Sequence, residues 1–400
     1  MIKRSLYLDK IIPFVDKDLI KIIIGVRRSG KTVLLNQIKE YIENKKSEDD
    51  LIIYLNFESY ENRNLLNGLK LHKKIINDAK NIKGKVYLFF DEIQEVDEWQ
   101  RIVNSFRVDL NCDIYLTGSN SNLLSGELAT YIAGRYVHFN VYPFTFKEAI
   151  ELSKLNNTTF NNKELFLDYL KFGGLPQRYE LPKDEMIKAY LDDVYNTIVL
   201  KDIIARNKIK DVDLLKRILN YLMDNIGNTF SANSIANFLK SEKRKVTVDT
   251  VLNYIEYIKN AMIVSAVNRY DLEGKKILST NEKYFSADVG LRNVVKNNQV
   301  IDYSKLFENI VYLEMLSRGY EVRVGKLGVK EVDFICYKNH EIIYIQVAYI
   351  LAEESTIERE FSVLEAIDDN YPKYVISFDE VNFSRNGIIH KNIIDFLLEK

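Results

Sequence analysis

The chain has 400 residues, 46% of them hydrophobic, with 56 Lys+Arg against 57 Asp+Glu. That length allows about two to four packed domains, and the balanced charge excludes a uniformly basic nucleic-acid-binding chain while leaving local patches open. Two cysteines, Cys112 and Cys336, exclude a disulfide scaffold and point to a reducing compartment, and the four histidines have no zinc-ligand spacing.

The N-terminal MIKRSLYLDK has no long apolar segment of the signal-peptide kind, and no run of about 18 apolar residues occurs to span a membrane. A cytoplasmic location without membrane partners is therefore expected. Ile22, Ile23 and Ile24 form a β-branched run that reads as a buried strand. GVRRSGKT follows at 25–32 and completes G-x-x-x-x-G-K-[ST] through Gly25, Gly30, Lys31 and Thr32. Leu34, Leu35, Ile38, Tyr41 and Ile42 then recur at helical spacing.

Strand, glycine loop and helix is the order a phosphate cradle needs. Glycines let backbone N–H groups turn inward, and the helix N-terminus adds partial positive charge. The candidate ATP contacts are Gly25, Val26, Arg27, Arg28, Ser29, Gly30, Lys31, Thr32 and Val33. Lys31 is expected to reach the β- and γ-phosphates and Thr32 to hold Mg²⁺. Arg27 and Arg28 serve either phosphate or a neighbouring subunit.

LIIYLNFE (51–58) reads as a second strand. Asn56 at its end either holds Glu92 away from water or is a turn residue. VYLFFDEIQEV (86–96) is an apolar strand ending in Asp91-Glu92. Adjacent carboxylates there repel unless a cation separates them, so Asp91 is assigned to Mg²⁺ and Glu92 to general-base activation of water. CDIYLTGSNSNLL (112–124) is a further strand whose end offers Ser119 and Asn120 to a γ-phosphate, or a helix cap. Arg135, before the strand YVHFN, reads as an arginine finger for a neighbouring subunit or as a surface ion pair. The finger role requires a homo-oligomer.

GVRRSGKT, DEIQEVDEWQ, LTGSNSNLLSG, AGRY, YPFTFKEA and GGLP together resemble the archaeal and bacterial AAA-type P-loop ATPases, related to AAA+ and STAND proteins, that carry a C-terminal nuclease-like domain. The resemblance covers most of the chain and implies an ATPase core. It also implies that Gly173-Gly174-Leu175-Pro176 belongs to a helical lid, with Pro176 near the adenine; a plain helix-breaking turn is the other reading.

DVDLLKRILNYLMDNIG, SANSIANFLKS and TVDTVLNYIEYIKNAMIV then read as three helices, the last with a stripe of Val248, Val251, Leu252, Ile255 and Ile258. A hairpin with Gly274 at its tip follows, completing a winged-helix pattern. Lys240, Lys243, Arg244 and Lys245 lie before the third helix and Lys275 and Lys276 lie on the wing, where they can meet DNA phosphates. The third helix, however, carries Asp249 and Glu256.

In the last hundred residues, a helix with Glu308 and Glu314 and the strands YEVRVG, KEVDFICYK and IIYIQVAYI resemble the PD-(D/E)xK nuclease order. Asp333 is present, but Gln346 and Ala348 replace the carboxylate and lysine that metal-assisted hydrolysis uses. A degenerate scaffold is expected.

The expected architecture is α/β: a P-loop NTPase parallel sheet (1–144), a helical lid (145–209), a winged helix (210–290) and a restriction-endonuclease-like α/β domain (291–400). The expected activity is Mg²⁺-dependent ATP hydrolysis driving movement of the C-terminal modules, in association with DNA. A nucleotide-controlled switch that binds protein partners is the alternative, and a metal-dependent nuclease a weaker one.

Overall fold

Strand β1 (Ile20–Ile24) has all five residues buried, as its unbroken apolar run requires. In the computed structural model, which describes residues 2–124, 132–155, 161–296 and 302–399, β1 lies between two parallel neighbours. Those neighbours are β4 (Cys112–Gly118) and β5 (Tyr136–Asn140). With β2 (Leu51–Asn56) and β3 (Val86–Asp91) they form a five-stranded sheet of order β2-β3-β4-β1-β5, parallel throughout.

Helices cover both faces. Ile23, Phe89 and Tyr115 pack against α1 (Ser5–Ile11) and α2 (Lys31–Glu43). Ile22, Ile24, Leu88 and Phe90 pack on the other side against α3 (Gly68–Ala79) and α4 (Trp99–Asp109). Two covered faces explain why the strands read as continuous rather than alternating apolar runs. This first compact unit spans residues 1–141 with 260–262.

The second unit comprises residues 142–259 and 263–400. It begins with α5 (Phe146–Leu155), α6 (Asn162–Phe172) and α7 (Asp184–Thr197). Asn161 and Glu164 cap α6 reciprocally, satisfying otherwise unpaired backbone donors. The GGLP turn after α6 is anchored within this unit. The buried Asp288 carboxylate accepts from the Gly174 N–H at 2.6 Å, and Arg178 Nε donates to the Gly173 carbonyl at 2.6 Å.

The stretch read as a winged helix contains α8 (Val212–Asp224), α9 (Ala232–Ser241), α10 (Val248–Asn260) and the hairpin of β7 (Val264–Asp271) and β8 (Lys276–Ser286), with Gly274 in its turn. The apolar stripe of α10 is narrower than its spacing suggests. Val251, Ile255 and Ile258 are buried, whereas Leu252 is 51% exposed.

The hairpin joins a larger sheet with β6 (Thr229–Phe230), β9 (Glu321–Leu327), β10 (Lys330–Lys338), β11 (Glu341–Val347), β12 (Lys373–Ser377) and β13 (Ile389–Asn392). Its order is β13-β12-β11-β10-β9-β7-β8-β6. Strand β7 pairs in parallel with β9, so one sheet crosses residue 290. Helix α12 (Tyr303–Ser317), which follows α11 (Val289–Val295), packs Phe307 and Tyr312 into the core around Phe285 and Phe334. Helix α13 (Glu354–Glu365) packs Phe361 and Leu364 in a separate core with Val332, Ile335 and Tyr344.

Candidate functional site

The parallel register brings Ile24, Gly118 and Asn140 level, and Asn56 level with Asp91, so the chemistry-bearing residues gather at the carboxyl ends of the strands. That is where open α/β sheets hold ligands. The loop leaves β1 at Gly25, where a Cβ would lie 2.2 Å from the Val141 carbonyl oxygen, so only glycine fits. It closes at Gly30, whose φ of 97° is left-handed, directly before α2. The hydroxyls of Ser29 and Ser119 are buried without a hydrogen-bond partner, as expected of groups awaiting a polar ligand or water.

Lys31 opens α2 and is only 4% exposed. Its Nζ donates to the carbonyls of Gly25 (3.1 Å) and Val26 (3.3 Å) and lies 3.7 Å from Glu92 Oε1. The ammonium is thus folded back over its own loop. Thr32 Oγ1 donates to Asp91 Oδ2 at 2.9 Å. Tyr54 and Asn56 donate to the same oxygen at 3.2 and 3.1 Å, and Thr117 Oγ1 donates to Oδ1. Burial raises the Asp91 carboxyl above its ordinary value, and the hydroxyls of Thr117 and Thr32 only partly offset this.

Glu92 has a left-handed φ of 56°, uncommon outside glycine, and its N–H donates to Thr117 Oγ1 at 2.9 Å. Burial works to raise its carboxyl, but the Lys31 ammonium and the Gln94 amide outweigh it and hold the group below the ordinary value. An adjacent hydroxyl and carboxylate are a hard-oxygen pair of the kind Mg²⁺ takes, and the glycine loop with Lys31 suits a polyphosphate. The residues present fit a Mg²⁺–nucleotide.

Asn56 is placed differently from the expectation that it restrains Glu92. Its amide goes to Asp91 because the two residues are register partners, and Gln94 Nε2 holds Glu92 instead, at 2.5 Å. Ser119 and Asn120 are buried directly after β4, at the same end of the sheet. Val26 and Ser29 are buried, Val33 is half-buried, and Arg28 is exposed in a left-handed turn. Arg27 pairs with Glu58 at 3.3 Å.

Residues 17–150 match an AAA domain, and residues 163–302 match a domain of unknown function, DUF8612. An uncharacterized protein of Haemophilus influenzae is 40% identical over 403 residues, covering 100% of this chain and 99% of the relative. The chain belongs to the family of that protein. A second member, the uncharacterized protein MJ1544 of Methanocaldococcus jannaschii, is 34% identical over 391 residues, covering 92% of this chain and 83% of the relative.

Among solved structures, AMPPCP-bound DnaA from Aquifex aeolicus overlaps with a TM-score of 0.34 at 16% identity, over 64% of this chain and 87% of DnaA. The Aeropyrum pernix ORC1 protein in complex with DNA gives 0.32 at 12% identity, over 74% and 91%. The match over residues 17–150 makes the first part of this family member an AAA domain, and the five-stranded parallel sheet with its glycine loop fits a P-loop NTPase fold.

Within the AAA domain, Arg135 precedes β5, whose first residue pairs with Ile20 at the start of β1. It therefore sits at the opposite end of the sheet from the P-loop, exposed and 3.4 Å from Asn104 Oδ1, and does not act in its own chain's site. Pro176 lies in the second unit, opening a short 3-10 turn (Pro176–Glu180). Ser125 and Gly126 of the LTGSNSNLLSG motif lie outside the described residues. Among the described residues no helix is long and apolar enough to cross a membrane.

Of the basic residues assigned to DNA, Lys240, Lys243, Lys245, Lys275 and Lys276 are exposed. Arg244 is instead engaged by Asp211 (3.1 Å) and by Asp213. The residues that sequence reasoning missed around the P-loop are Arg4, Tyr54, Gln94 and Thr117. Only Thr117 left a signal, as a hydroxyl in an apolar strand.

The C-terminal part of the chain carries a cleft of about 570 Å³ whose lining includes Glu308, Glu331, Asp333, Gln346 and Glu360. Gln346 is not open for coordination. Its carbonyl accepts from the Asp333 N–H at 2.6 Å and its amide donates to Glu360 at 2.8 Å. Ala348 is buried, and the buried Lys283 of β8 approaches Glu308 (2.7 Å), Glu331 (3.1 Å) and Asp333 (3.4 Å).

One ammonium does not neutralise three carboxylates. Burial, joined by the neighbouring carboxylates, raises the Glu308 and Asp333 carboxyls against the pull of Lys283. Groups raised in the folded state bind more protons folded than unfolded, so stability is expected to fall as pH rises from about 5 to about 8. Each group contributes at most about 1.4 kcal/mol per pH unit. Lys283 is itself raised above 10.5 and stays charged throughout that window. Thermal unfolding across it should show a fall that Glu308→Gln flattens; an unchanged slope in that variant would contradict the assignment.

Proposed function

We propose that this protein binds ATP with Mg²⁺ at the GVRRSGKT loop and hydrolyses it to ADP and phosphate. The supporting observation is the convergence of Lys31, Thr32, Asp91 and Glu92 at one end of the sheet. On this reading Thr32 and Asp91 hold the metal. The bound ion supplies positive charge to the β- and γ-phosphate oxygens.

Lys31 leaves the Gly25 and Val26 carbonyls for the phosphates, which separates it from Glu92. Glu92 then accepts a proton from the attacking water as that oxygen bonds to the γ-phosphorus and the bond from the γ-phosphorus to the bridging oxygen breaks, so that ADP departs with the bridging oxygen and the proton leaves with the products. Ser119 and Asn120 orient that water or the γ-phosphate. Pro176 and its turn belong to a helical lid element, and Arg135 serves a neighbouring copy's site.

We assign the use of this energy to DNA association, supported by the exposed Lys240, Lys243, Lys245, Lys275 and Lys276 in the three-helix-and-hairpin segment. A protein-binding switch is favoured instead by one observation, the neutralisation of Arg244 by Asp211 and Asp213.

Steady-state phosphate release with Mg²⁺, with and without duplex DNA, separates the two. DNA association predicts turnover stimulated by duplex, lost in Lys31→Ala, and no longer stimulated in Lys243→Glu with Lys245→Glu. Each removed phosphate contact should also lower the salt slope of DNA binding by about one. Turnover indifferent to DNA selects the switch, and no turnover with any ligand contradicts the hydrolase.

A further inference from the structure

Arg4, in the segment before α1, reaches the P-loop. Arg4 is 1% exposed, and its guanidinium Nη1 donates to the Ser29 carbonyl at 3.0 Å. Its own N–H donates to Gln37 Oε1 at 3.0 Å, and Gln37 Nε2 donates to the Ile2 carbonyl at 2.8 Å. Gln37 belongs to α2, the helix that the P-loop starts, so the N-terminal segment is braced against that helix at Ile2 and at Arg4. The guanidinium also lies 4.7 Å from the centre of the Tyr7 ring, a cation–π contact that adds to its anchoring.

The consequence follows from peptide geometry. Ser29 and Gly30 share one peptide plane, and in a trans peptide the carbonyl and the N–H point in opposite directions. Holding the Ser29 oxygen toward Arg4 turns the Gly30 N–H the other way. Gly30 has a φ of 97° and no side chain, so nothing in the residue itself prevents that plane from rotating. A rotated plane would present a carbonyl oxygen where a phosphate needs a donor.

We propose that Arg4 is a positioning residue of the nucleotide site, locking the Ser29–Gly30 peptide so that its N–H faces the phosphates. This rests on the ATP-site reading above. Arg4 touches neither nucleotide nor reacting atoms; it acts through the loop backbone. Charge-assisted hydrogen bonds of this kind are worth about ten- to hundredfold in an equilibrium.

The test is MgATP binding to the full chain by isothermal titration, with thermal unfolding in the presence and absence of saturating MgATP. Arg4→Met is expected to weaken MgATP by about tenfold or more and to shrink the nucleotide-induced rise in Tm. Arg4→Lys, which can still offer a donor to the Ser29 carbonyl, should restore part of both. Should Arg4→Met fail to fold, Gln37→Leu, which releases the brace, should weaken MgATP in the same direction.

A merely structural role would lower Tm equally with and without nucleotide. If Arg4→Met, or Gln37→Leu in its place, keeps wild-type affinity and the full nucleotide-induced rise, the proposal is overturned while the ATP site stands. If the wild-type chain itself binds no MgATP, the ATP-site reading and this inference fall together.

Discussion

Glu92→Gln is expected to cut steady-state phosphate release by about 10²–10⁴-fold while MgATP affinity stays close to wild type. The split follows from where Glu92 sits. Its backbone is tied to Thr117 Oγ1, independently of the side chain, so the substitution leaves the strand ends in place. Its carboxylate touches Lys31 only across 3.7 Å, so a neutral amide even removes a competitor for that ammonium.

The pH dependence carries the same argument. In the free protein Lys31 and Gln94 hold the Glu92 carboxyl below its ordinary value of 4.5, so it is ionised but a weak base. Phosphates that draw Lys31 away remove the largest stabiliser of that charge, and the group becomes more basic once nucleotide is bound. The acid limb of kcat, which reports the complex, should therefore lie at higher pH than the acid limb of kcat/KM, which reports the free enzyme. Coincident limbs would show that Lys31 does not change partners. A Glu92→Gln variant with wild-type turnover would remove Glu92 as the base.

Much of this machinery is legible in the sequence because it is contiguous. GVRRSGKT needs eight neighbouring positions and DE two, and the strands before them are marked by apolar runs that only a doubly covered sheet requires. Contacts set by register are not legible in this way. Asn56 was expected beside Glu92, yet one residue of strand register decides between Glu92 and Asp91. Lys283 meets Asp333 across 50 positions of sequence, and Arg4 meets Ser29 across 25, neither with a pattern that pairs them. The pairing of β7 with β9 was hidden similarly: a hairpin reads locally, whereas which strand lies beside it depends on the whole sheet.

Asp91→Asn should separate stability from activity. Asp91 is 1% exposed, and burial raises its carboxyl above 3.8 even though Thr32, Tyr54, Asn56 and Thr117 all donate to it. A raised carboxyl makes the folded state lose stability as pH climbs from the unfolded value through the folded one, so near neutrality the ionised group works against folding.

An asparagine keeps one carbonyl oxygen for Thr32, Tyr54 and Asn56 and turns its amide to Thr117 Oγ1, which can accept. The variant should therefore gain stability, by roughly 1 kcal/mol in urea unfolding at pH 7 without nucleotide. Its Mg²⁺-dependent phosphate release should fall at least about 100-fold, because the hard anionic oxygen beside Thr32 is gone. Such opposition between stability and activity is what a buried functional charge imposes. If Asp91→Asn were instead less stable than wild type, the four donors would be shown to solvate the carboxylate better than water does. Asp91 would then be a structural anchor, and the metal-holding role would pass to Thr32 without it.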